Sequence, residues 1–273
     1  MSVNFDVLIN TTEDSVDMKS GLDTLQGVSD ATRYIAETIL GERVPERQTA
    51  KARVRTTLRQ SFRGSYGQKF SVDIYDEKFQ TRFNRIGKTT FAELVGYYLN
   101  ESVYKEPRDL STKAQAIIEQ LGDKSDELVQ QLRLSSLKNI HEVSTKFGHD
   151  VKVRYRKSRD DQVILAEFDG ETASVLDAVQ TDEVIDLIVG ITRLNTNTGN
   201  GRLQIQGENE TVAFGFSGEY QSLDITAKRR FSENLHYNNG RPRDHWNYLE
   251  ITASPIRLHG GKIIKFIVKG YGV

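Results

Sequence analysis

The densest ionic chemistry lies in KARVRTTLRQ, where Lys51, Arg53, Arg55, Thr57 and Arg59 recur at every second position. A strand turns alternate side chains to one face, so this spacing predicts a strip of four cations able to follow a phosphate backbone. The same pattern serves an exposed sheet edge that resists aggregation, or a face that meets an acidic partner protein. Between Arg43 and Arg63 seven basic residues (Arg43, Arg47, Lys51, Arg53, Arg55, Arg59, Arg63) stand against one acid, Glu46, so the attraction is local. A second basic group comprises Arg193, Arg202, the run Lys228, Arg229 and Arg230, then Arg241, Arg243, Arg257 and Lys262, with Trp246 among them. From Gln221 onward nine basic residues face four acidic ones. The whole chain of 273 residues is balanced, 37 basic against 38 acidic, which excludes a polycation drawn to anions by bulk charge.

Motifs that would carry catalysis are incomplete. RIGKTT, Arg85 to Thr90, matches the end of a phosphate-binding loop, but the first glycine such a loop requires falls on Arg82 and no apolar strand leads directly into it. HEVSTKFGH begins like a zinc-protease helix, yet Thr145 stands where the second histidine belongs. His236, His245 and His259 are scattered. Asp76, Glu77 and Lys78 form an acidic-x-Lys triplet of the kind used by metal-dependent nucleases, without an assignable partner carboxylate; it reads as the solvated end of a strand. There is no GxSxG elbow, and no cysteine for a disulfide, a thiolate nucleophile or a cysteine-containing zinc site. The expectation is a chain with no catalytic residues, no metal and no cofactor.

The elements that must position the basic groups follow from periodicity. FDVLI reads as a buried strand. A helix from Val16 carries Leu22, Leu25, Val28, Ala31, Ile35 and Ile39 on one stripe and stops near Gly41. KARVRTTLRQ and QKFSVDIY read as neighbouring strands, with Phe70, Val72 and Ile74 facing a core, and KTTFAELVGYYLNESV as a second helix with Thr90 and Glu93 at capping-box spacing. Residues 1–107 therefore form an N-terminal α+β domain, an α/β sandwich-like unit. Helical patterns through LSTKAQAIIEQLG and SDELVQQLRLSSLKNIHEVSTKFG place a helical connector at 108–148. From 149 to 273 the period is that of strands: a hairpin, VKVRYRKS with QVILAEFDG, then three strands, a helix around QSLDITAKRRFSENL and two final strands. Three strands, a helix and two strands is the order of an OB-like five-stranded barrel. Gly190, inside the first barrel strand, marks a bulge or bend.

In that frame NTNTGN, Asn195 to Asn200, is the turn between the first two barrel strands, since Asn and Gly accept positive φ and Gly201 runs into a strand rather than a helix. In an OB-type barrel this loop and the last hairpin border the ligand face. Trp246, Phe214 and Phe216 offer aromatic faces for bases; packing inside the barrel is the competing use of Phe214 and Phe216, which share a strand face, and of the lone Trp246.

Strand 182–194, the tip TNTGNG and the strand GRLQIQ resemble the small barrel modules of uncharacterised bacterial two-domain proteins, some encoded beside anti-phage defence genes. GLDTLQGVSDATRYIAETIL is similar in style to the first domain of those proteins. The resemblance covers about the last 120 residues and transfers no active-site residue. It implies a cytoplasmic bacterial accessory or recognition protein working within a multi-protein complex.

The expectation is thus an α+β, non-enzymatic protein of the cytoplasm that contacts nucleic acid or a partner complex through Lys51, Arg53, Arg55, Arg59, Arg193, Asn195, Asn197, Arg202, Arg241, Arg243, Trp246, Arg257 and Lys262. No stretch of the sequence reads as a membrane-spanning helix. The alternative is a structural subunit that oligomerises or binds a partner protein without nucleic acid.

Overall fold

A computed structural model describes residues 1–12, 15–47, 53–62, 66–158 and 160–272. It divides into two compact units, Met1–Leu176 and Asp177–Val273. No helix of the described residues is long and apolar enough to cross a membrane.

In the first unit a five-stranded antiparallel sheet is built from β1 (Ser2–Ile9), β2 (Val54–Phe62), β3 (Tyr66–Ile74), β4 (Val151–Arg156) and β5 (Gln162–Phe168), in the order β2-β3-β1-β4-β5. Alternation decides its two faces. Val3, Phe5, Val7 and Ile9 of β1, Phe70, Val72 and Ile74 of β3, and Val151, Val153 and Tyr155 of β4 are buried in one core. Helix α1 (Met18–Gly41) contributes Val28, Ala31, Ile35 and Ile39 to that core, as expected, whereas Leu22 is exposed. The same helix crosses close to α6 (Leu137–Ile140), where a Cβ on Gly27 would lie 2.5 Å from the Ile140 backbone nitrogen. Helices α2 (Glu77–Ile86), α3 (Lys88–Ser102), α4 (Thr112–Leu121), α5 (Asp123–Ser135) and α7 (Glu142–Phe147) bury side chains in the same core.

Four expectations are corrected here. The segment 108–148 is not a connector between units: Leu128, Leu132, Leu137, Ile140 and Val143 are part of the first core. The hairpin β4–β5 belongs to the first sheet, where β4 pairs with β1, Val7 opposite Val153, so the boundary falls after Leu176 rather than at 148. Asp76 is the N-cap of α2, its carboxylate accepting from the Phe79 amide at 3.0 Å, so the acidic-x-Lys triplet is a helix start and not a strand end. Helix α3 starts at Lys88, two residues before Thr90, with the positive-φ Gly87 as its N-cap, and Glu93 instead accepts from the Ser111 hydroxyl. RIGKTT is thereby a helix–helix junction.

The second unit contains β6 (Val179–Gln180), β7 (Ile185–Leu194), β8 (Gly201–Ile205), β9 (Thr211–Phe216), α9 (Ile225–Asn238), β10 (Leu249–Arg257) and β11 (Ile263–Tyr271); a short α8 (Gly170–Ala173) precedes it in the first unit. Strands β7 to β9 form an antiparallel meander. β10 returns to β7, β11 pairs antiparallel with β10, and parallel pairing of β11 with β9 closes a five-stranded barrel. This is the OB-like connectivity expected. The interior holds Val189, Ile191, Leu203, Phe214, Phe266 and Val268, and Phe231 of α9 packs against them. The expected irregularity in β7 is present as a bulge between Ile191 and Arg193. At Gly190 itself a Cβ would lie 2.7 Å from the Trp246 ring, so the glycine makes room for tryptophan.

Candidate anion-binding surfaces

Along the outside of the barrel, strand alternation and register line up side chains across the strands. One rank runs from Arg193 to Arg202, directly opposite on β8, then to Ala213 on β9 and Lys265 on β11. Arg202 is buried, its Nε donating to the Thr211 hydroxyl at 2.8 Å and its Nη2 to the Thr211 carbonyl at 3.3 Å. Lys265 reaches across β9 to donate to Asn200 Oδ1 at 3.0 Å. It can do so because Gly215 lies beneath: a Cβ there would meet Asn200 Oδ1 at 2.8 Å and Lys265 Nζ at 3.2 Å. Thr211, Ala213 and Gly215 make β9 a low floor between longer side chains on β8 and β11. Register places the 195–200 turn at one end of this floor and the 258–262 hairpin at the other.

The 195–200 segment is a turn, as its composition predicts, and it is firmly held. The Gly199 amide donates to the Asn195 carbonyl and the Asn195 amide to the Asn200 carbonyl, each at 2.8 Å. Asn195 Oδ1 accepts from the Asn197 amide at 2.9 Å, and Gln221 Nε2 donates to the Asn197 carbonyl at 2.9 Å. Gly199, at φ 72°, lies under Tyr220 with space for no Cβ, the ring being 2.2 Å from where one would stand.

The remaining arginines of the barrel are held by contacts of their own. Arg243 donates to Asn209 at 3.1 Å, at the β8–β9 turn opposite the 195–200 end. Arg241 stacks on Tyr237 at 3.9 Å and its carbonyl accepts from the Trp246 indole nitrogen at 3.0 Å. Arg257 pairs with Glu183 at 2.9 Å. Lys262 is exposed in the last hairpin. Phe214 and Phe216 pack on Phe231 with centroids 5.8 and 4.9 Å away, which makes Phe214 core rather than a platform for bases.

The strip on β2 also divides. Lys51 lies outside the described residues. Arg53 precedes the first strand residue, so alternation does not govern it; its guanidinium lies 5.2 Å from the Phe79 ring of α2 and near Glu37 of α1, whose carboxyl is pushed up by burial against the opposing pull of Arg33 and Arg53. Arg55 lies over Tyr75 at 5.2 Å. Arg59 pairs with Asp73 at 3.2 Å and donates to Ser71 at 2.9 Å, while Thr57 donates to Asp73 at 2.6 Å. One carboxylate thus tempers the exposed half of the strip.

The residues sequence reasoning missed sit beside it, on the polar face of the same sheet. Asp6 of β1 is fully buried, its Oδ1 accepting from Arg154 Nε at 2.6 Å and its Oδ2 from Arg156 Nη1 at 2.5 Å. Lys69 stands directly opposite Asp6 on β3. Phe62 leans over Gly67, where a Cβ would lie 2.3 Å from the ring, and brings its centroid to 5.6 Å from Arg154, 5.7 Å from Arg156 and 5.9 Å from Lys69. Two signals were available: one acid in the apolar run FDVLI, and VKVRYR, which alternates apolar and basic residues through Arg156.

The histidine of the failed zinc-protease motif is structural. His141 is buried, its Nδ1 2.7 Å from the Leu137 carbonyl and its Nε2 2.9 Å from the Thr172 hydroxyl, and burial depresses its basicity. Among the described residues no three His, Asp or Glu side chains gather in a way that could hold a metal ion.

No family model, curated protein or solved structure matches this chain.

Proposed function

We propose that the protein is a non-enzymatic binding module, an accessory or recognition subunit that contacts nucleic acid across the outer face of its barrel. The observation that carries this reading is the rank Arg193, Arg202 and Lys265 beside the low floor of Thr211, Ala213 and Gly215, between two loops. Like charges placed side by side on neighbouring strands repel, and a polyanion laid along the floor relieves that repulsion. The positions of the loops match those that border the ligand face in OB-type barrels. The resemblance of the 182–206 segment is what links this reading to bacterial anti-phage complexes.

Fluorescence anisotropy with a labelled 20-nucleotide dT strand tests it, at about 50 mM salt and upward. The affinity falls log-linearly with salt, and Arg193→Gln or Lys265→Gln lowers the slope by about 0.7 for each phosphate that is no longer neutralised. Arg202 is left intact because it is buried. Undiminished binding by the Arg193→Gln/Lys265→Gln double variant overturns the barrel face as the binding surface. Absence of binding by the native chain, together with a salt-insensitive mass at a multiple of 31.0 kDa, replaces it with the structural-subunit reading.

A further inference from the structure

The polar face of the first sheet holds an arrangement that the barrel reading does not use. Lys69, Asp6 and Arg154 form one rank across β3, β1 and β4, and Arg156 stands two residues further along β4 on the same face. Two arginines therefore grip a single carboxylate, each engaging one of its oxygens, and a third cation, Lys69, stands opposite it on β3, its Nζ 3.5 Å from Gln60 Oε1. A cluster whose purpose was neutralisation would match its charges, since each excess cation withdrawn from water raises its free energy. Here the excess is retained with the side chains of Arg154 and Arg156 at 16% and 11% exposure, low enough to hold them in place and high enough to be reached.

The geometry explains how they are held. Arg154 touches Asp6 through Nε, so the fork of its two Nη nitrogens is not the edge gripped by the carboxylate. The Phe62 ring lies within 6 Å of all three cationic centres, an attraction between ring face and cation that restrains them further. Gly67 makes this placement sterically feasible, because any side chain there would collide with the ring. An arginine fork fixed from behind and flanked by a lysine is suited to the tetrahedral oxygens of a phosphate, which take parallel N–H donors and a point charge together.

We infer that Arg154, Arg156 and Lys69, oriented by Asp6 and Phe62, form a phosphate-binding site on the first unit, separate from the barrel face. Its ligand is the phosphate of a nucleotide, free or within a strand; in its strand form the inference rests on the nucleic-acid reading above.

The test uses the full chain with two probes: ATP, followed by isothermal titration calorimetry, and the labelled dT strand. Lys69→Gln removes one cation without stripping Asp6 of its arginines, and Arg154→Lys/Arg156→Lys keeps the charge while removing the forks. Each is expected to weaken ATP about tenfold, the equivalent of about 1.4 kcal/mol for one charge-assisted bond. Thermal melting verifies that both variants remain folded. If the native chain binds ATP and loses it in both variants but ignores dT, the site stands and the barrel reading falls. If it binds dT, and both variants bind dT and ATP as tightly as the native chain, the site falls and the barrel reading stands. A native chain that binds neither probe overturns both.

Discussion

The two sheets of this protein handle buried charge in contrasting ways. On the first, an acid lies at the bottom of the cluster and arginines close over it: Asp6 is fully buried and both its oxygens are occupied. On the barrel, a cation is the buried member, and Arg202 is braced by the hydroxyl and carbonyl of Thr211. The first arrangement needs ionic pairing to exist, because a carboxylate withdrawn from water without partners is prohibitively costly. The second includes hydrogen bonds to uncharged groups, so a charge-neutral replacement of similar shape is better tolerated there. Burial alone does not define a cation's role; what it is held by does.

The largest expected effect breaks the comparison at its root. Asp6→Ala leaves two poorly hydrated guanidiniums facing each other, and a loss of about 3–5 kcal/mol is expected. Glu183→Ala, half exposed and paired with Arg257 on the surface, costs about 0–1 kcal/mol. Urea denaturation followed by circular dichroism separates the two, and equal losses would mean that the Asp6 cluster is no more than a surface pair. Phe231→Ala tests whether the units are energetically separate, since the apolar cores form two distinct clusters. Removing that ring costs about 3–5 kcal/mol in the barrel and lowers one calorimetric transition while leaving the other in place. A single transition that shifts as a whole would contradict this separation.

A smaller effect is expected at Gly199→Ala. The positive φ and the collision with Tyr220 together cost on the order of 1–3 kcal/mol, and the same change loosens the loop that borders the barrel face. Unchanged stability and unchanged dT binding would show that the loop's anchoring is incidental. The smallest effect is a pH dependence of the first unit. His141 has its basicity lowered by burial, so as pH falls the unfolded chain takes up the proton before the folded one does. Its contribution is therefore fully present above the ordinary value of 6.5 and drains away as the pH drops through that value toward the depressed folded one. His141→Gln should flatten this part of the stability–pH curve. An equally steep curve in the variant would assign the dependence to other groups.

How much of this was legible in the sequence depended on the range of the interactions involved. The stripe of Val28, Ala31, Ile35 and Ile39 gave away α1, and alternation punctuated by Asn and Gly gave away the barrel strands, because both signals are local. Helix α2 escaped although Phe79, Phe83 and Ile86 recur at helical spacing; the strand before it drew Asp76 to Lys78 into the wrong element. The hairpin β4–β5 was recognised and misplaced, since nothing within a hairpin states which third strand it will join. The same limit hid the site around Asp6, whose partners are 148 and 150 residues away. On β2 alternation begins at Val54 and is broken by the register shift between Leu58 and Ser61, so Arg53 left the strip, and Arg59 reaches Ser71 and Asp73 from within that irregularity.

The position of β1 has a kinetic consequence. It is the central strand of its sheet, with β3 on one side and β4 on the other, so one edge is matched by a strand about 60 residues on and the other by a strand about 150 residues on. Closing the longer loop adds only modestly to the entropic cost, but it postpones the event: β1 remains an open template until β4 has been made and has found it. During that interval the edge of β1 that β4 will occupy is available to any other extended segment, including the same strand of a neighbouring chain. Arg154 and Arg156 have a use here as well, because only β4 brings the two guanidiniums that Asp6 requires, and a wrong strand docked in its place would trap an unpaired carboxylate.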